Sequence, residues 1–76
     1  MDGHLEYVCD DARHLVCTPY SVENLHRMAG ELGIGRHWFH AGRLAHYDIP
    51  KRRVQEIATK CRIVTSHELL AVIKGA

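Results

Sequence analysis

A chain of 76 residues has room for a single hydrophobic core. At this size roughly 60% of the unfolded surface is buried on folding, so every element has to be short and share the same thin interior. The apolar residues obey that limit. They come in bursts of at most five, separated by charged and turn-forming residues, and the bursts switch between a period of two and a period near 3.6. The expectation is one α/β domain spanning residues 1–76.

Residues 4–9 (HLEYVC) alternate as a strand with Leu5, Tyr7 and Cys9 on one face, and Asp10 and Asp11 stand at its carboxyl end. Residues 14–18 (HLVCT) read as a second strand, stopped by Pro19, which has no N–H to give to a ladder. Ser21 is suited to cap a helix over 21–32, with Val22, Leu25, Ala29 and Leu32 as its apolar stripe and Gly33 and Gly35 ending it. Residues 36–47 (RHWFHAGRLAHY) follow neither period. They read as a loop or short helical turn carrying functional side chains, with an extended piece near 45–48.

Pro50 suits the first turn of a second helix whose buried stripe is Val54, Ile57, Ala58 and Cys61. Residues 62–65 make a third strand. Thr65-Ser-His-Glu68 then forms a capping box for a last helix, in which Leu69, Leu70, Val72 and Ile73 turn inward until Gly75. The order β-β-α-loop-α-β-α predicts a small, partly parallel sheet of three strands, or four with the piece near 45–48, covered by about three helices.

Ten Lys and Arg against nine Asp and Glu rule against a generic polyanion binder, so bulk nucleic-acid binding is not expected. No apolar run approaches the ~20 residues of a membrane helix, and MDGHLEYVCDD lacks the apolar region of a signal peptide. Cys9, Cys17 and Cys61 are odd in number and form no C-x-x-C pair, which reads as reduced core thiols in a cytoplasmic protein. A core this small also favours assembly into a homo-oligomer.

Three constellations carry chemistry. Asp10 and Asp11, reinforced by Arg13 and His14, lie where open α/β sheets collect ligands; as carboxylates they suit a divalent cation, a sugar hydroxyl or acid–base work, against the plain alternative of a polar turn. His37 and His40 share a face if that stretch is helical, and with His46 or Asp48 they would make a three-ligand metal site; most histidines, however, simply bond backbone or solvent. Trp38 and Phe39 beside them are core or subunit-contact residues, or a stacking platform for a base. Lys51, Arg52 and Arg53 open the second helix, where cations oppose its dipole unless an anion binds there; the alternative is a solvated positive face paired with Glu56.

V-C-D-D at residues 8–11, His14-Leu15, E-L-G at 31–33, Trp38-Phe39, His46-Tyr47-Asp48 and V-T-S-H-E-L-L at 64–70 occur here as a set. The set resembles a family of small bacterial and phage proteins known as domain of unknown function 4031, over roughly residues 5–73. The resemblance implies that Asp10, Asp11, His14, His46, Asp48 and Arg53 belong to one site, of a nucleotide or phosphoester kind. The leading expectation is a module that binds a nucleotide-like or phosphorylated small molecule, in a phage setting by sequestering a host signalling nucleotide. There Lys51, Arg52 and Arg53 would hold phosphate, Asp10 or Asp11 would meet sugar hydroxyls or a metal, and Trp38 or Tyr47 would stack on the base. A second expectation is a metal-assisted phosphoesterase or nuclease with Asp10, Asp11 and Asp48 on the metal and His14 or His46 as acid or base. A third is an inhibitor of a host factor that uses Trp38 and Phe39 as a contact patch.

Overall fold

A computed structural model describes residues 3–75. Five strands form one mixed sheet: β1 (Glu6–Cys9), β2 (His14–Thr18), β3 (Phe39–His40), β4 (His46–Asp48) and β5 (Cys61–Ile63), in the spatial order β3-β4-β2-β1-β5. Three helices complete the fold: α1 (Val22–Leu32), α2 (Val54–Ala58) and α3 (Ser66–Lys74). The α/β class and the helix count agree with the sequence expectation. The sheet is larger than the three or four strands expected, because residues 39–48 form a hairpin of very short strands, with Phe39 opposite Tyr47 and His40 opposite His46. A two-residue strand made of Phe and His carries no periodic signal to detect.

The parallel part is the β1–β5 pair, in the register Tyr7↔Cys61 to Cys9↔Ile63. β2 runs antiparallel to both of its neighbours, with Val8 opposite Val16 and His14 opposite Asp48. β1 and β2 are therefore inner strands covered on both sides, and Val8, Cys9, Leu15, Val16 and Cys17 are all buried. This is why β1 does not keep the one-faced alternation of Leu5, Tyr7 and Cys9.

Helix ends follow the local chemistry. Ser21 Oγ accepts the Asn24 N–H at 3.0 Å, and Gly33 closes α1 in the left-handed region at φ 73°. α3 opens with the expected box: Thr65 Oγ1 accepts the Glu68 N–H at 3.1 Å while Glu68 Oε1 accepts the Thr65 N–H at 2.9 Å. α2 is shorter than its stripe suggests, since Cys61 already belongs to β5, and Lys51–Arg53 before it are wound as a 3-10 turn after buried Pro50.

α1 packs on the face carrying Leu15 and Tyr47, where Leu25, Met28 and Tyr47 have no exposed surface. Each such fully buried apolar side chain contributes about 1.5–3 kcal/mol. Because neighbouring strand residues point to opposite faces, His14, His46 and Asp48 lie on the other face. There the Leu69, Leu70 and Ile73 side chains of α3 share a cleft with His14 and His46.

Candidate metal centre

The centre begins with a turn. Between β1 and β2 the chain reverses through Asp10–Arg13, and Arg13 takes φ 69°, an uncommon setting for a side chain other than glycine. Asp10, whose side chain has no exposed surface, braces the reversal. Its Oδ1 accepts the backbone N–H groups of Ala12 at 2.9 Å and His14 at 3.0 Å. Its Oδ2 accepts Ser66 Oγ at 2.7 Å and lies 2.8 Å from His14 Nδ1. Burial alone would push this carboxyl up, but the bonds from Ser66, His14 and the two backbone N–H groups outweigh it and hold the carboxyl below its ordinary range. Asp10 is thus an anion at neutral pH, and His14 Nδ1 carries the proton that faces it. In the neutral imidazole, Nε2 of His14 then carries the lone pair.

His46 is prepared in the same way. Its Nδ1 lies 2.8 Å from the Leu44 carbonyl, which can only accept, so Nδ1 is the protonated nitrogen and Nε2 is free. Nε2 sits 3.4 Å from Asp48 Oδ1. Asp48 lies opposite His14 across the β2–β4 ladder, and one ligand atom from each of His14, His46 and Asp48 falls within 4.8 Å of the others. The other Asp48 oxygen is 2.9 Å from His40 Nε2, and His40 stacks on His46 with ring centroids 5.0 Å apart. His14 meets His46 edge-on at 5.1 Å.

Two imidazoles and one carboxylate converge, each oriented from behind by its own partner: Asp10, the Leu44 carbonyl and His40. Metal-binding histidines are arranged this way, with the second ring nitrogen held by a carboxylate or carbonyl. Donor atoms about 3.3 Å apart are what a tetrahedral ion with bonds of roughly 2.0–2.1 Å requires, and the His46–Asp48 spacing of 3.4 Å matches it. A cleft of about 230 Å³ adjoins the cluster, walled by Leu44, Leu69, Leu70 and Ile73.

Residues 8–76 match the model of the family described as protein of unknown function, DUF4031. The chain belongs to this family. No curated protein and no solved structure matches it.

In this DUF4031 chain, Asp10, His14, His46 and Asp48 come together at one end of the sheet, although their order of importance differs from expectation. The carboxylate set Asp10, Asp11 and Asp48 is not a ligand set. Both Asp10 oxygens are taken up by four hydrogen bonds, and Asp11 is exposed in the turn. His37 lies apart, against Trp38 and Gly35, while His40 reaches Asp48. Tyr47 cannot stack on a base: it is fully buried, with its hydroxyl 2.7 Å from His26 Nδ1, because it lies on the α1 face of β4. Arg53 is not free for phosphate. Its guanidinium donates to the Leu32 and Gly33 carbonyls at the end of α1 and to Glu56.

Arg13 keeps one nitrogen on the Ile49 carbonyl at 3.1 Å and has no carboxylate partner among the described residues. Trp38 and Phe39 are half-buried and packed against the core, so they do not form a protruding patch. Ser66 and Leu44, which orient the site, were not foreseen. Ser66 carried a signal only as a helix-opening residue, and a backbone carbonyl carries none.

Proposed function

We propose that this chain is a single-metal phosphoesterase whose ion is held by His14 Nε2, His46 Nε2 and an Asp48 oxygen. The observation that carries the reading is the convergence of one ligand atom from each of His14, His46 and Asp48 within 4.8 Å, with both histidine Nδ1 atoms already committed to acceptors behind them. A set of three protein ligands is the catalytic kind, with a coordination position left for water or substrate. A zinc ion held there would supply a Lewis acid and would lower the pKa of a bound water to about 7.

The protein side of the chemistry follows from the geometry. Asp10 and the Leu44 carbonyl fix the two histidine tautomers, and His40 steadies Asp48. The cleft walled by Leu44, Leu69, Leu70 and Ile73 takes the organic group of the ester.

The test loads metal-free protein with Zn²⁺, Mn²⁺ or Co²⁺ and follows binding by calorimetry and hydrolysis of bis(p-nitrophenyl) phosphate. One equivalent of metal per chain, lost in His14→Ala and Asp48→Ala and kept in Asp11→Ala, is the expected result. Absence of binding by all three ions refutes the centre. Stoichiometric binding without hydrolysis refutes the phosphoesterase assignment.

A further inference from the structure

A second cleft lies away from the metal cluster and shares no residue with it. It has a volume of about 470 Å³, in the range of small-molecule sites, and forms where the turn after α1 meets the 3-10 turn before α2. Gly33, Gly35, His37, Trp38, Lys51 and Arg52 contribute to its wall. Three properties define what it can hold.

The first is charge. No carboxylate lines the cleft. Arg53, which also lines it, is neutralised by Glu56 at 2.8 Å, whereas Lys51 and Arg52 are exposed and have no ion-pair partner among the described residues. On a chain with a formal net charge of +1, this places two uncompensated cations side by side at one concavity. The second is an aromatic wall. Trp38 is half-buried and held by its backbone N–H on the Gly35 carbonyl at 3.1 Å, and the His37 ring lies 5.3 Å from it, tilted by 44°. The third is the fit of that wall to the backbone. A Cβ at Gly35 would lie 2.8 Å from His37 Cε1, so glycine lets the imidazole lie against the chain.

We propose that this cleft binds a free nucleotide, with the base against Trp38 and His37 and the phosphates on Lys51 and Arg52. A flat ring with two adjacent cations and no opposing carboxylate complements an aromatic base joined to phosphate; aromatic faces stack any base, and cationic side chains form charge-assisted bonds to phosphate oxygens. The proposal does not depend on the metal centre, because none of the ion's ligands enters the cleft.

Trp38 is the only tryptophan, so its fluorescence reports directly on the site. The experiment titrates chelator-treated protein at low salt with ADP, and in parallel with adenosine, pyrophosphate and a short single-stranded oligonucleotide. Saturable quenching by ADP is expected, together with competition by pyrophosphate. The double reversal Lys51→Glu/Arg52→Glu should weaken ADP by about tenfold or more, the scale of losing two charge-assisted contacts. His14→Ala should leave ADP binding unchanged, which separates this site from the metal centre. The proposal is overturned if ADP gives no saturable response by fluorescence or calorimetry, if the double reversal binds ADP as well as the native chain does, or if the oligonucleotide binds far more tightly than ADP.

Discussion

Replacing Asp10 by Asn tests the orientation of His14 with almost no change in shape. The asparagine carbonyl can keep the two backbone N–H groups of Ala12 and His14 that Asp10 Oδ1 now accepts. Its amide nitrogen replaces Oδ2, facing Ser66 Oγ and His14 Nδ1. The serine hydroxyl can rotate to accept. The imidazole has to present a lone pair at Nδ1 instead, which moves its proton to Nε2 and removes the lone pair offered to a metal. All four charge-assisted hydrogen bonds become neutral ones, a loss of about 0.5–1 kcal/mol each, so stability should fall by about 2–4 kcal/mol. For a domain with a margin near 5 kcal/mol this is measurable by urea denaturation and leaves the chain folded.

Zinc affinity should fall more steeply, by about 10–100-fold, as expected when the partner behind a ligating histidine is lost. Calorimetry gives that number, and histidine side-chain NMR gives the tautomer. Ser66→Ala is the control: it removes one donor to Asp10 but leaves His14 in place, so stability should drop while zinc affinity stays near native. The pH dependence has a defined sign. The folded carboxyl titrates below its ordinary 3.8, so its stabilisation is complete above that value and disappears as pH falls through the lower folded one. Asp10→Asn should flatten that acid limb. Native zinc affinity in Asp10→Asn, with Nδ1 of His14 still protonated, would refute the reasoning.

Two further outcomes follow from groups outside the centre. Arg53→Ala frees the Leu32 and Gly33 carbonyls at the end of α1 together with Glu56, so its denaturation midpoint should fall; Arg52→Ala, which breaks no bond, should leave the midpoint in place. The thiols should be slow. Burial pushes Cys17 up to about 11, and burial with the neighbouring Cys9 pushes Cys61 up to about 12. At pH 8 the native chain should react with a disulfide reagent far more slowly than the urea-unfolded chain, and one thiol reacting at the unfolded rate would contradict the burial described.

Regular segments were legible in the sequence because local chemistry decides them. Ser21 and the Thr65–Glu68 box cap the helices they were expected to cap, and Val54 and Ile57 turn inward. Of the hairpin at 39–48 only the extended piece near 45–48 was legible, as β4; β3 was not, since its two residues are held by their pairing with β4 and not by any period of their own. At the site, the motif residues Asp10, His14, His46 and Asp48 could be found, with His46 and Asp48 among the candidate metal ligands, but the burial of Asp10 behind His14 could not. Nothing in the residue string distinguishes a carboxylate that meets a metal from one buried behind a histidine. Arg53 shows the same limit. A cation run invites an anion, and only the fold reveals that the neighbouring helix end supplies the acceptors.

The Asp10–Ser66 bond joins residues 56 positions apart and sits beside the pairing of β1 with β5. That separation has a consequence during synthesis. As the chain leaves the ribosome, β2 follows β1 closely, whereas the other edge of β1 has no partner until β5 emerges at residues 61–63. For most of that time the nascent protein shows an unpaired strand edge ending in a carboxylate that still lacks its hydroxyl donor. A charged residue at that point makes a poor template for a passing strand, so the group that later orients a histidine also discourages premature association of unfinished chains.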